Sequence, residues 1–195
     1  MVCGLAHGAL RCHNHTNYFL LSLSPYLFPM ETSSRKNILA ISGSTRSHST
    51  NRNFLRAIAE MTQDTLALTI FEGLSELPHF NPDLDDGRTP PPASVADFRR
   101  QIAEADGVII CTPEYAMGVP GTLKNAIDWT VSSCEFSHKP VALMTASSLG
   151  EKGHSSLLGT PNIIESRVTD DTQLCISFAK TKIRRENLEI GRAHV

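Results

Sequence analysis

The sequence lacks a charge excess, a long apolar run and a cysteine pattern, and each absence closes off a class of function. Its 18 basic and 20 acidic residues among 195 leave a formal net charge of −2. That is far from the concentrated basic face a general nucleic-acid binder needs. No apolar run reaches the roughly 18 residues of a membrane-spanning helix. The five cysteines show neither CxxC nor zinc-ligand spacing, so neither a disulfide framework nor a metal site is expected. GxGxxG and GxxxxGK[ST], the two common glycine-rich nucleotide signatures, are also missing. What remains is expected to be a soluble, cytoplasmic globular chain, long enough for one α/β domain, with neither nucleic acid nor membrane as partner.

The two ends differ in character from the middle. Residues 1–35 carry His7, His13, His15, Cys3, Cys12 and an apolar patch at 18–28. Arg11 precedes that patch as in a signal peptide, but Pro25 and Pro29 interrupt it and no clean small-residue cleavage site follows. Residues 1–35 are therefore expected to be a leader outside the domain, with Met30 as the start of translation. The cluster Cys12-His13-Asn14-His15 is too tightly spaced to close a tetrahedral metal site. Residues 190–195, Ile-Gly-Arg-Ala-His-Val, match one reading frame of a common sequencing adapter. They are expected to be read-through, with the natural chain continuing past Glu189. The domain is thus expected to span residues 36–189.

Within it, strand-like and helix-like segments alternate. Residues 37–42 and 107–111 are short apolar runs of the kind buried in parallel sheets. Residues 65–71 alternate Leu66, Leu68 and Ile70, while 140–145 and 173–178 complete five expected strands. Helical spacing marks residues 51–63 through Phe54, Leu55 and Ile58. It marks a second segment through Val95, Phe98 and Ile102, and a third at 122–131 with Leu123, Ala126, Ile127 and Val131 facing inward. Residues 157–164 give only a weak helix, because Gly159 and Pro161 interrupt it. Regular alternation implies right-handed crossovers, a parallel sheet covered on both faces, and a ligand site at the carboxyl ends of the strands.

Three loops at that edge carry the chemistry. The first, residues 43–51, sets Ser44, Thr45, Ser49 and Arg46 at the start of a helix. Free N–H groups and a positive dipole end bind phosphate there, and a guanidinium adds charge-assisted bonds. Capping by Ser49 or Asn51 accounts for one such residue but not for hydroxyls crowded around an arginine. The second loop runs from Thr112 through Pro113, Glu114, Tyr115, Ala116, Met117, Gly118, Val119 and Pro120 into a helix ending near Trp129. Its prolines and glycines set a rigid path able to press backbone groups against a planar heterocycle. Tyr115 either stacks on such a ring or covers the core edge. Trp129 is expected in the core, Lys124 and Asp128 as a surface pair, and Asn125 as a loop anchor. The third loop begins at Ala146 and runs Ser147-Ser148-Leu149-Gly150 towards His154, a solvent-facing loop residue with no assigned chemistry. Cys111 and Cys134 read as structural.

Together, GSxRxxSxN at 43–51 and PEYxxxxPGxLKNAIDW at 113–129 resemble the NADPH-dependent FMN reductase family, which includes flavodoxin-like quinone, azo-dye and chromate reductases. The resemblance is good over residues 36–145 and weaker beyond. It implies a three-layer α/β/α sandwich with a five-stranded parallel sheet of order 2-1-3-4-5. It also implies FMN as cofactor, with Ser44, Thr45, Arg46, Ser49 and Asn51 around the phosphate. Pro113, Glu114, Tyr115 and Ala116 would line the ring, largely through backbone atoms, although the family often carries Asn at the position of Ala116. Ser147 and Gly150 belong to a loop resembling the family's SxGxxGG, with Leu149 inserted and His154 replacing a glycine. Hydride would pass from NADPH or NADH to the flavin and on to a quinone-like, azo or metal-oxyanion acceptor in ping-pong fashion, with no catalytic protein group. A homodimer or homotetramer is implied too. Two other readings stand beside this one: a flavodoxin-type electron carrier, which the near-neutral charge fits poorly, and a degenerate binder lacking its last helix.

Overall fold

The computed structural model describes residues 35–177 and Ala179; the expectations for residues 1–34, Phe178 and 190–195 lie outside the described residues. Five strands form a single sheet: β1 (Lys36–Ser42), β2 (Leu66–Phe71), β3 (Gly107–Thr112), β4 (Val141–Ala146) and β5 (Gln173–Ile176). All neighbours pair in parallel, in the order β2-β1-β3-β4-β5. This is the flavodoxin-like doubly wound order, whose switch point lies between β1 and β3.

The central strands are apolar on both sides because helices cover both sides. Leu39, Ile41, Val108, Ile110, Val141 and Leu143 face α2 (Ala93–Glu104) and α3 (Gly121–Asp128), meeting Val95, Phe98, Ile102, Leu123 and Ile127. Leu157 of α4 (Glu151–Ile163) joins the same cluster. On the opposite face Ile38, Ala40, Ile109, Ala142 and Met144 meet Phe54, Leu55 and Ile58 of α1 (Thr50–Met61). Each buried phenylalanine such as Phe98 stands for about 3–5 kcal/mol against truncation to alanine. No helix among the described residues is long and apolar enough to cross a membrane.

Three expected elements differ. Helix α3 stops at Asp128, so Val131 lies beyond it and is 47% exposed rather than turned inward. Helix α4 begins at Glu151, well before the expected weak segment; the N-cap residue before it, Gly150, supplies no side-chain cap, so the usual start signal is missing from the local sequence. Strand β5 ends at Ile176, with Ser177 in a turn.

Candidate functional site

The chain leaves β1 through Gly43, whose N–H continues the ladder to the Cys111 carbonyl at 2.8 Å. A Cβ at this position would stand 2.4 Å from Thr112 Oγ1. Only glycine lets the first loop lie this close to the end of β3. The loop then enters α1 with Ser49 as N-cap, its Oγ accepting from the Arg52 N–H at 3.3 Å. The Ser49 carbonyl takes the Asn53 N–H. The amides of Thr50 and Asn51, at the first two helical positions, therefore have no intrahelical carbonyl to bond. Asn51 is buried, and its Oδ1 accepts from the Cys111 thiol at 3.3 Å.

The second loop crosses the end of β3 and makes a tight two-residue turn. Tyr115 and Gly118 exchange both backbone hydrogen bonds at 2.9 Å, and Ala116 and Met117 between them hold φ of 48° and 62°. That is the type I′ hairpin geometry, built without the glycine or asparagine that usually supplies it. Tyr115 and Met117 are 47% and 75% exposed. The third loop leaves β4 at Ala146 and enters α4 at Gly150, which has φ of 95°. Its Ser147 carbonyl accepts from the Ala179 N–H at 3.0 Å.

All three loops meet in one cleft of about 150 Å³ at the carboxyl edge of the sheet. Of the expected residues, Ser44, Arg46, Ser49, Asn51, Pro113, Glu114, Tyr115 and Ser147 line it. Thr45, Ala116 and Gly150 do not: Thr45 and Ala116 are exposed on the outer side of their loops, and Gly150 is buried at the start of α4. Thr50, Ala146, Ser148 and Ala179 line the cleft without having been expected. The hydroxyls of Thr50 and Ser148 adjoin named residues and could have been read from the loops. Ala146 and Ala179 offer only small size, which leaves no mark in a sequence.

The cleft is polarised. One end gathers the hydroxyls of Ser44, Ser49 and Thr50, the unpaired amides of α1 and the Arg46 side chain, which is exposed and makes no ion pair among the described residues. These offer hydroxyl and amide donors and one positive charge, the complement of a phosphate. The other end is walled by Pro113, Glu114 and Tyr115 on one side and Ser147 and Ser148 on the other, suited to a flat group gripped by its edges.

The neighbouring side chains settle into supporting positions. Trp129 is fully buried, its Nε1 donating to the Pro78 carbonyl at 2.8 Å, and stays out of the cleft as expected. Asn125 anchors the preceding loop through Phe80 N and Pro78 O, and Lys124 pairs with Asp128 on the surface. His154 differs from the expectation: it sits within α4 and is half-buried, its Nδ1 2.9 Å from Thr145 Oγ1, and burial pushes its pKa below the ordinary imidazole value.

The family profile described as NADPH-dependent FMN reductase matches residues 36–167. A quinone reductase of Pseudomonas putida is 38% identical over 114 residues, 57% of this chain and 60% of that protein. An NADH-dependent flavin reductase subunit of Lactobacillus johnsonii is 34% identical over 113 residues, 58% of each chain. The chain thus spans about 60% of the length of these curated relatives. Among solved structures, the flavoenzyme NAD(P)H:(acceptor) oxidoreductase of Paracoccus denitrificans superposes with a TM-score of 0.59 at 24% identity, over 75% of this chain and 88% of that one. This last likeness establishes the shared fold.

Proposed function

The chain belongs to the NADPH-dependent FMN reductase family, and from that premise we propose that it is an FMN-dependent NAD(P)H oxidoreductase acting on a quinone-like acceptor. The observation that carries the proposal is the polarity of the cleft, with donors and positive charge at one end and two facing loops at the other. That donor set fits FMN. Arg46, Ser44, Ser49, Asn51 and the first amides of α1 would take the phosphate, and residues 113–115 with 147–148 would grip the ring. When bound, FMN supplies the hydride relay between nicotinamide and acceptor.

The protein's part is binding and exposure. The phosphate end anchors the cofactor by its charged tail, and the rigid path of residues 113–118 keeps one wall fixed. Tyr115, exposed in the cleft wall, gives an aromatic surface against which a planar reactant can rest. A single mouth serves donor and acceptor in turn, so ping-pong kinetics are expected. The names of the curated relatives support a quinone; azo and metal-oxyanion acceptors are included on the family resemblance, as is assembly into a homodimer or homotetramer.

The test is reconstitution of the full chain with FMN, followed by gel filtration and a visible spectrum. A retained flavin band, bleached by NADPH or NADH and restored by benzoquinone with parallel double-reciprocal lines, is the expected result. Absence of a retained flavin would defeat the proposal. Bleaching without quinone turnover would point to an electron carrier. The same assay with an azo dye and chromate ranks the acceptors, and light scattering gives the assembly.

A further inference from the structure

Helix α4 opens unusually. Its N-cap residue Gly150 provides no side-chain cap, and the His154 N–H makes the bond back to the Gly150 carbonyl at 2.9 Å. The Gly153 amide, one residue earlier, therefore has no intrahelical carbonyl to bond. It donates instead to Oε2 of Glu114, at 2.8 Å and 39 positions away in the chain. Gly153 is buried, and a Cβ there would stand 2.9 Å from Glu114 Cβ and 3.1 Å from the Gly118 carbonyl oxygen. The second loop thus lies directly on the first turn of α4, with a carboxylate on the positive end of the helix.

We propose that Glu114 is a positioning residue: its carboxylate caps α4 from outside and sets the distance between the two loops that grip the flavin ring. This rests on the FMN reading above. Glu114 sits between Pro113 and Tyr115 in one wall, and the turn it caps directly follows the loop that carries Ser147 and Ser148 of the other. The His154–Thr145 contact ties α4 only to its own strand, so the Glu114–Gly153 bond is a link across the cleft. With it, the ring-side opening is formed before the cofactor arrives, and binding does not have to order it. The side chain of Glu114 thereby has a role that backbone contacts to a ring would not require.

The test uses the full chain stripped of flavin, with FMN and riboflavin as probes. Riboflavin lacks the phosphate and reports on the ring side alone. Three readouts are taken: exchange of the Gly153 amide, the two dissociation constants, and thermal melting of the apo-protein. Glu114→Ala is expected to speed exchange at Gly153 and to weaken both flavins by the same factor, roughly tenfold for a lost charge-assisted bond. Glu114→Gln, which keeps an acceptor oxygen, should recover most of that affinity. A contribution to general stability alone would lower the melting temperature and leave the dissociation constants of the folded protein unchanged. Should Glu114→Ala fail to fold, Gly153→Ala displaces the carboxylate from the other side and is expected to give the same loss. Riboflavin affinity unchanged in these variants, or Glu114→Gln no better than Glu114→Ala, overturns the inference while leaving the FMN reading intact. A wild-type chain that binds neither flavin overturns both.

Discussion

The Cys111 thiol, near the end of β3, hydrogen-bonds Oδ1 of Asn51 in the first turn of α1 at 3.3 Å. This contact ties the start of the helix that offers its amides to the cleft to the strand beneath the second loop. Cys111 is fully buried, and burial pushes its thiol pKa far above the ordinary cysteine value. Since the thiolate is the reactive form, Cys111 should be inert in the folded chain. Cys134 is exposed; Cys175 is exposed too, but partial burial and then the carboxylates of Glu151 and Glu114 raise its pKa. Among these three, iodoacetamide at pH 8 followed by peptide mass mapping should therefore label Cys134 first, Cys175 more slowly, and Cys111 only after denaturation. Labelling of Cys111 in the native protein at the rate of Cys134 would contradict the packing described.

Arg46 lies in the cleft, is exposed, and makes no ion pair among the described residues. Removing it should cost the fold nothing measurable. If it meets the FMN phosphate, Arg46→Ala should lose about 1.5–3 kcal/mol of FMN affinity, the range of a hydrogen bond to a charged group. Riboflavin affinity should stay the same, and the loss should shrink as salt is raised. Flavin fluorescence titration measures both. Equal losses for FMN and riboflavin would move Arg46 away from the phosphate.

Ala116 and Met117 occupy left-handed backbone at φ of 48° and 62°, a conformation that costs an L-residue about 1–2 kcal/mol. The turn they form prefers Asn-Gly. The double variant Ala116→Asn/Met117→Gly should therefore raise the unfolding free energy by roughly 1–2 kcal/mol, offset in part by the extra freedom of glycine in the unfolded chain. Denaturant melts of the apo-protein check this. A lower midpoint would mean that the exposed Met117 side chain contributes packing that outweighs the strain.

These cases mark what could be read from the sequence. The parallel sheet, most of the core and the convergence of three loops were legible, because burial on both faces writes apolar strands and helical spacing directly into the chain. The strand order came from the family resemblance, and Val131, expected to face inward, is exposed. Eight of the eleven expected site residues line the cleft, because the loops that carry them leave the carboxyl ends of neighbouring parallel strands, which alternation of strand and helix already implied. What could not be read depends on partners distant in sequence. The start of α4 was hidden because its cap is Glu114, 39 residues away. Ala179 lines the cleft next to Ser147, 32 positions earlier, whose carbonyl takes its N–H. His154 looked like a solvent-facing loop residue because nothing in its neighbourhood announces Thr145.

Arg99 is the remaining feature with a large expected effect, and it lies away from the cleft. Its Nη2 is 2.8 Å from both carboxylate oxygens of Asp85, its Nε donates to the Trp129 carbonyl at 2.7 Å, and Glu135 stands 3.9 Å away. The side chains of Arg99, Asp85 and Glu135 are only 12%, 9% and 12% exposed. One guanidinium thus joins α2, the loop before it and the segment after α3. Removing the cation leaves the Asp85 carboxylate with Ser132 and that of Glu135 with Ser133 as hydroxyl partners, a loss of about 1–3 kcal/mol, below the cost of breaking a fully buried pair. Arg99→Met, which keeps much of the stem's packing, should accordingly lower the denaturant midpoint sharply. Replacing Asp85 as well, by Asn, should recover part of the loss. The pH dependence follows from Asp85. Burial raises its pKa, but hydrogen bonds from Ser132 and Arg99 outweigh that and hold it below the ordinary aspartate value. A carboxyl depressed in the folded state stabilises above its unfolded pKa, and that stability is lost as pH falls through the folded value. The wild-type chain should therefore lose stability below about pH 4 more steeply than Asp85→Asn. Parallel acid-unfolding curves for the two proteins would show that the Asp85–Arg99 contact contributes nothing to the fold.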